Sequence, residues 1–204
     1  MPLLATVLVS FIFIPGSALA PIAHAKTSAT LAQASGEEPS PRTVAPVVKT
    51  AVTRLTVKLT SYNAVPEQTD GNPTVTASGI PSNSEVIAAR SHDLASTLPF
   101  GTVIAIYREA NDSSACGFSR VQHLIGYRVI ADTTNARFSK RVDVELDAAD
   151  KVVFAGRRMN PSRVLGVCSG VSVEVVGRLK LRDVPDTQAE LAALINPPLL
   201  ALAK

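Results

Sequence analysis

The stretch that decides the fold is Leu55-Thr56-Val57-Lys58-Leu59-Thr60-Ser61-Tyr62, in which apolar and polar side chains alternate. Successive side chains of a strand point to opposite faces, so this period of two predicts a strand with one buried face. Further segments of the same kind follow, separated by turn residues. They are residues 86–89, 102–107, 126–131, 141–146 and 171–176. Many short strands with little helix favour a mainly β, small closed barrel.

Helix is expected to be scarce in the barrel domain, which we place at residues 53–182. Short helices are predicted only near residues 91–96 and 148–156. A C-terminal tail, residues 183–204, follows the barrel. Within it residues 187–195 are able to form about two helical turns. We interpret the tail as a peripheral appendage.

The N-terminus predicts export. Residues 3–14 form an uncharged apolar run, and Ala23-His24-Ala25 is a small-x-small cleavage site. The run is shorter than the ~20 residues that span a bilayer, so we predict a signal peptide over residues 1–25. A retained anchor or a buried core helix is the alternative. Residues 26–52, rich in Ser, Thr, Ala and Pro, predict a flexible linker. The expected location is the periplasm or cell envelope, without stable membrane insertion.

The cysteines Cys116 and Cys168 suit an exported chain, because oxidising compartments favour disulfides. They permit one intramolecular bridge, which stabilises a fold by about 3–4 kcal/mol on chain-entropy grounds. Two buried free thiols are the alternative. Neither cysteine has a Cys or His at ligand spacing, and His92 and His123 form no zinc motif. We therefore predict no metal and no cofactor.

Composition limits the partners. The net charge is only +3, and no cluster of Lys and Arg lies on a recognisable helix or strand, which argues against nucleic acid. Aromatic residues make up 4% of the chain and Trp is absent, so a sugar-binding groove would depend on polar contacts. We expect the protein to be a monomer.

Two aspartates carry the best candidate chemistry. Within residues 141–146 the apolar side chains share one strand face, and Arg141, Asp143 and Glu145 share the other. Asp132 ends the preceding strand, where a side chain on a rigid scaffold often serves a site. A hairpin-like return would bring the two aspartates together. In the alternative, Asp132 caps a turn and Asp143 pairs with Arg141 or with an arginine of the preceding strand.

Four blocks resemble, in order, the 3D domain family, which is named for three aspartates and related to the barrel of the MltA-type lytic transglycosylases. They are Thr60-Ser61-Tyr62, Thr76-Ala77-Ser78-Gly79, Asp93 with Leu98-Pro99-Phe100-Gly101-Thr102, and Ala131-Asp132-Thr133 through Lys140-Arg141-Val142-Asp143. The likeness spans residues 55–176. It implies a six-stranded double-psi β-barrel and the glycan strands of peptidoglycan as ligand.

The resemblance also implies an enzyme that cuts the MurNAc–GlcNAc bond without water. By match to the third family aspartate, Asp143 is the expected acid and then base. Asp132 is the expected charge stabiliser, and Asp93 is a third, weaker member. Ordinary glycosidases need a second carboxylate as base or nucleophile. Here the 6-hydroxyl of the muramic residue attacks its own anomeric carbon, so proximity replaces that group and the product is a 1,6-anhydro sugar.

The matched blocks imply a set of substrate-binding residues as well: Tyr62, Thr76, Gly79, Thr133 and Arg141. The lytic enzymes follow their second aspartate with Thr-Gly-Gly, whereas this chain continues Thr133-Thr134-Asn135 and has no glycine before Asp143. Glycines let a backbone approach a ligand closely, so their loss implies a narrower groove or a different substrate. A non-catalytic glycan-binding barrel and an inactive structural domain are the alternatives.

Overall fold

The computed structural model describes residues 53–69, 71–108 and 116–196. These residues belong to one compact unit. The predicted signal peptide and linker, residues 1–25 and 26–52, lie outside the described residues. Within the described ranges, no helix combines the length and the apolar character needed to cross a membrane.

The described chain is built mainly from strands. They are β1 (Thr53–Tyr62), β2 (Ile87–Arg90), β3 (Thr102–Tyr107), β4 (Tyr127–Thr133), β5 (Arg141–Glu145), β6 (Val152–Phe154), β7 (Arg157–Met159) and β8 (Cys168–Arg178). The α-helices are α1 (Phe118–Ile125), α2 (Pro161–Leu165) and α3 (Gln188–Ile195). Single 3-10 turns occur at His92–Leu94 and Leu181–Asp183.

Six strands close into a barrel in the order β1-β5-β2-β4-β3-β8, while β6 and β7 form a separate hairpin. β1 runs parallel to β5 and β2 runs parallel to β4, and the remaining neighbours are antiparallel. In chain order the barrel strands are β1, β2, β3, β4, β5 and β8. Exchanging β1 with β4, β2 with β5 and β3 with β8 leaves every pair of neighbours unchanged, and it converts one parallel pair into the other. The predicted small six-stranded barrel is therefore confirmed.

The barrel interior is a continuous apolar core. Leu59, Ile104 and Ile130 are fully buried there. The alternation predicted for residues 141–146 is confirmed, because the three apolar side chains of that stretch belong to this core. Each fully buried side chain of this size contributes about 1.5–3 kcal/mol of transfer free energy. The opposite face of β5 carries the side chains of Arg141, Asp143 and Glu145.

The C-terminal tail is part of the folded domain. The Thr187 side chain accepts a hydrogen bond from the Glu190 backbone, and the Glu190 carboxylate accepts one from the Thr187 N–H. This capping box starts α3 where the sequence predicted a helix. Leu191 and Ile195 then join an apolar cluster with Ile87 on the outside of the barrel. The described part of the tail, residues 183–196, packs against the barrel and is not a peripheral appendage.

Two local predictions were wrong. The helix expected near residues 148–156 is the β6–β7 hairpin, because a short apolar run such as residues 152–154 fits a strand as well as a helix. The helix expected near residues 91–96 is only a single 3-10 turn, His92–Leu94. Helices α1 and α2 were not predicted at all.

The predicted disulfide is present. Cys116 and Cys168 are bonded with a Cα–Cα distance of 5.3 Å, across 52 residues of sequence. The bridge ties the segment before α1 to the start of β8. Closing a loop of this length stabilises the fold by about 4 kcal/mol on the chain-entropy model.

A buried arginine, Arg128, connects several segments of the barrel next to the candidate site. Arg128 on β4 is 0% exposed, and burial lowers its pKa to about 10. Its guanidinium donates to the carbonyl oxygens of Ile125 at 2.6 Å, Ser84 at 2.5 Å, Glu145 at 3.3 Å and Leu124. These bonds connect the end of α1, the segment before β2 and β5. Arg128 is thus engaged by main-chain carbonyls.

Candidate active site

A cleft with a volume of about 500 Å³ lies beside the C-terminal ends of β1 and β4. Asp132 and Asp143 both line it, together with Tyr62. The segment from Gln68 to Ser82 and the segment from Thr133 to Phe138 contribute the remaining walls. This volume falls in the range of small-ligand pockets. The two aspartates that the sequence singled out therefore face one cleft.

Asp132 is held by donors from three parts of the chain. Its Oδ2 accepts from the Tyr62 hydroxyl at 2.9 Å. Its Oδ1 accepts from the backbone N–H of Ala77 at 2.9 Å and of Thr133 at 2.8 Å. An ionised carboxylate is an acceptor only, so this set of donors suits it. The bonds fix the Asp132 side chain at the mouth of β4.

Asp143 has the opposite surroundings. Its Oδ1 is buried and has no hydrogen-bond partner within the described residues. Burial raises the pKa of Asp143 to about 6; the charge of Arg141 opposes this shift and that of Asp132 adds to it. A buried carboxyl oxygen without a donor favours the neutral form of the group. Asp143 therefore has the character of a proton donor at mildly acidic to neutral pH.

Glu145 joins the site through Tyr62. The Tyr62 hydroxyl lies 3.2 Å from Oε2 of Glu145 as well as beside Asp132. Burial raises the pKa of Glu145, and hydrogen bonds from Tyr62, the Asn83 backbone and Ser82 partly oppose this. Burial also raises the pKa of Tyr62 well above its ordinary value, so the phenol stays neutral.

Asp93 lies outside the cleft and is exposed on the His92–Leu94 turn. Its Oδ2 accepts from the Lys140 backbone N–H at 2.9 Å. Hydrogen bonds from the Ser91 side chain and from this N–H hold the pKa of Asp93 below its ordinary value. Lys140 has φ 48°, a left-handed conformation that costs about 1 kcal/mol in a non-glycine residue. The Asp93 carboxylate thus stabilises the turn that leads into β5.

Phe138 is a lining residue that sequence reasoning missed. Its ring lies against two guanidinium groups, with the Arg141 Cζ 3.6 Å and the Arg137 Cζ 4.7 Å from the ring centroid. Such contacts are cation–π interactions. The sequence predicted Arg141 to bind substrate. In the structure its guanidinium lies against the Phe138 ring, and its positive charge opposes the rise in the pKa of Asp143. In the sequence Phe138 lies between Arg137 and Arg141, in the loop without glycine, and this pattern could have predicted the contact.

The Thr76–Gly79 block forms a turn that aims one backbone N–H into the cleft. The Thr76 hydroxyl donates to the Ile80 carbonyl at 3.0 Å, and the Gly79 N–H donates to the Thr76 carbonyl at 2.9 Å. Gly79 has φ 86°, which a side chain would disfavour. The turn leaves the Ala77 N–H free to reach Asp132. Thr76 lines the cleft, whereas Gly79 does not.

Neither histidine in the described part of the chain lines the cleft. His92 lies on the 3-10 turn and His123 on α1, and both are exposed. Across residues 53–69, 71–108 and 116–196, no group of three or more His, Cys, Asp or Glu side chains is arranged to hold a metal ion.

A scan against models of known protein families and a search of curated proteins both find no match for this chain.

Proposed function

We propose that this protein is an exported cell-wall enzyme, a peptidoglycan lytic transglycosylase that cleaves the MurNAc–GlcNAc bond. The observation that carries the proposal is the asymmetry between two carboxyl groups in one cleft. Asp143 has a buried oxygen without a donor and a pKa raised to about 6. Asp132 accepts three hydrogen bonds. Carboxyl pairs whose surroundings differ in this way are typical of sites that divide acid work from charge stabilisation.

In the proposed reaction Asp143 begins protonated. It donates its proton to the glycosidic oxygen while the bond from that oxygen to the anomeric carbon breaks. The charge of Asp132 stabilises the positive charge that develops on the sugar ring. The 6-hydroxyl oxygen of the muramic residue then bonds to the anomeric carbon, and its proton passes to Asp143. The acid is restored, no water is consumed, and the product is a 1,6-anhydro sugar.

One acid is sufficient because the nucleophile belongs to the substrate. Holding the attacking hydroxyl beside its target replaces the second carboxylate that a hydrolase needs. The hydrogen bonds to Asp132 leave it as a fixed negative charge in this scheme. Tyr62 positions Asp132 and remains a neutral donor.

The charge around the cleft suits an anionic polymer. Arg137 and Arg141 lie against Phe138, which lines the cleft. Peptidoglycan carries carboxylates on its peptide stems, so positive charge near the cleft favours its approach. The Cys116–Cys168 bridge is compatible with an oxidising compartment, where this polymer is found.

A non-catalytic glycan-binding barrel is the second candidate, and one observation favours it. Asn135 and Phe138 line the cleft from the loop in which the lytic enzymes have glycines. Side chains at these positions limit how closely a glycan approaches the backbone. A binding module tolerates this limit better than an enzyme that must hold the scissile bond against Asp143.

Digestion of purified sacculi separates the two candidates. We expect the wild type and Asp186→Asn, a control at an exposed aspartate that does not line the cleft, to release anhydro-muropeptides. Asp143→Asn should release none while still sedimenting with sacculi. Sedimentation of the wild type without any released product would support the binding module. A wild type that neither releases product nor sediments would overturn the proposal.

A further inference from the structure

The β6–β7 hairpin exposes apolar side chains at its tip. Val153 is 69% exposed and its neighbour Phe154 is 41% exposed. The base of the hairpin is anchored, because Val152 is buried and Met159, its partner in the pairing, packs against the barrel core. Single exposed apolar residues are ordinary. Here two successive strand residues are exposed, so apolar surface is presented on both faces of the hairpin tip.

The turn at this tip holds an alanine in a left-handed backbone conformation that disfavours it. Ala155 has φ 47° and Gly156 has φ 74°. Two residues with positive φ between paired strands form the hairpin turn in which Asn, Asp or Gly is strongly preferred at the first position. A polar residue at position 155 would reduce the strain and suit water better. Hairpin formation alone therefore does not explain why an alanine stands there.

Two basic side chains flank the apolar tip. Arg157 is paired with Phe154 across the hairpin and Arg158 with Val153. Both arginines are exposed. Neither makes an ion pair with another residue in the described part of the chain. The acidic residues Asp147 and Asp150 lie in the turn before the hairpin, on its anchored side.

We propose that this hairpin docks the protein on the surface of an anionic lipid bilayer. Val153, Phe154 and Ala155 enter the interface, and Arg157 and Arg158 contact the headgroups. An apolar tip flanked by cations is the combination that binds at such interfaces. A soluble anionic polymer would use only the cations. The docking is peripheral and does not depend on the chemistry of the cleft.

The absence of tryptophan in the chain makes the test specific. Phe154→Trp places the only indole at the hairpin tip, in protein purified after export. Its emission is measured with vesicles of phosphatidylglycerol and phosphatidylcholine in equal parts, and with pure phosphatidylcholine. We expect a blue shift on the anionic vesicles alone, which weakens as salt is added because the headgroup attraction is screened.

Variants in the Phe154→Trp background test the two parts of the surface. Arg157→Glu with Arg158→Glu should weaken vesicle binding by at least about tenfold, since each basic residue near the surface contributes to the attraction. Val153→Ser should weaken it as well. The charge-matched control Arg178→Glu with Lys180→Glu, at the end of β8, should change it by less than about twofold.

Several results would overturn the proposal. One is an emission that does not move on anionic vesicles at low salt. Equal binding to both kinds of vesicle would remove the role of the cations. Equal weakening by the control variant would mean that only the overall charge matters. Binding to soluble polyphosphate that survives Val153→Ser, with no vesicle binding, would assign the basic residues to a polymer instead.

Discussion

The Tyr62 hydroxyl donates a hydrogen bond to Oδ2 of Asp132 over 2.9 Å. The two residues lie on β1 and β4, which are not neighbours in the barrel. The bond therefore crosses the mouth of the barrel and fixes one of the two cleft aspartates relative to the other strands. The same hydroxyl also reaches Glu145 on β5 at 3.2 Å. Tyr62, on β1, therefore contacts carboxyl groups on two other strands of the site, β4 and β5.

Removing this hydroxyl should impair catalysis more than folding. Tyr62→Phe takes one of three donors from Asp132, and a hydrogen bond to a charged group is worth about 1.5–3 kcal/mol. We expect kcat/KM on glycan strands to fall by roughly 10- to 100-fold. Tyr107→Phe is the matched control, because its hydroxyl donates to Glu174 outside the cleft. Equal activity of the two variants would contradict the assigned role of Tyr62.

The rate of glycan cleavage should depend on the protonation of Asp143. Burial raises the pKa of this group to about 6, and the proposed reaction begins with its protonated form. Above that pH the protonated fraction falls about tenfold per pH unit, so kcat/KM should fall in step. The measurement is initial release of soluble product across the pH range. A rate that keeps rising with pH above 7 would be inconsistent with an acid at this position.

The same group should make the fold less stable as the pH rises. The pKa of Asp143 is raised from 3.8 to about 6, so between these values the folded chain binds more protons than the unfolded chain. The free energy of unfolding then decreases as pH rises through this window, by up to about 3 kcal/mol, and levels off above it. Asp143→Asn lacks this titration. It should exceed the wild type in stability at pH 8 and lose the advantage below pH 4, as followed by urea unfolding.

The control for that experiment is Asp186→Asn, at an exposed position. It should follow the wild-type pH profile. If Asp143→Asn is less stable than the wild type at pH 8, the carboxylate has stabilising contacts that the structure does not provide. The raised pKa would then be wrong.

The strands were predictable because their signal is local. All six barrel strands were expected within a few residues of their observed bounds. In β1, β5 and β8 one buried face imposes a period of two on the sequence, whereas β2 is a short apolar run that is buried on both faces. Helix α1 was missed because Gly117 precedes it and no side chain caps its start. The turn at Ala155-Gly156 was missed because alanine is not a turn residue for the left-handed region.

The site was predictable only in part. The faces of β5 follow from sequence, so Asp143 and Glu145 were placed together correctly. The contacts of Tyr62 join residues 70 and 83 positions apart, and only the closure of the barrel brings them together. The burial that raises the pKa of Asp143 has the same origin. Local patterns therefore named the carboxyl groups but could not assign their surroundings.

Asp93 should act on the loop and not on the chemistry. Its carboxylate holds the Lys140 N–H at 2.9 Å and does not line the cleft. Asp93→Ala removes that bond, worth about 1 kcal/mol, and frees the turn that carries Phe138 toward the cleft. We expect KM to rise several-fold while kcat stays close to the wild-type value. A loss of kcat as deep as that of Asp143→Asn would place Asp93 in the catalytic machinery.

The central claim is that Asp143 cleaves glycan strands by acid catalysis without water, and the fate of solvent oxygen tests it most directly. Sacculi are digested in heavy-oxygen water with the wild type and with Asp143→Asn, and the released muropeptides are weighed by mass spectrometry. We expect a wild-type product that is one water lighter than a hydrolysis product and free of solvent oxygen, and no product from the variant. A wild-type product that carries solvent oxygen, or undiminished release by Asp143→Asn, would contradict it.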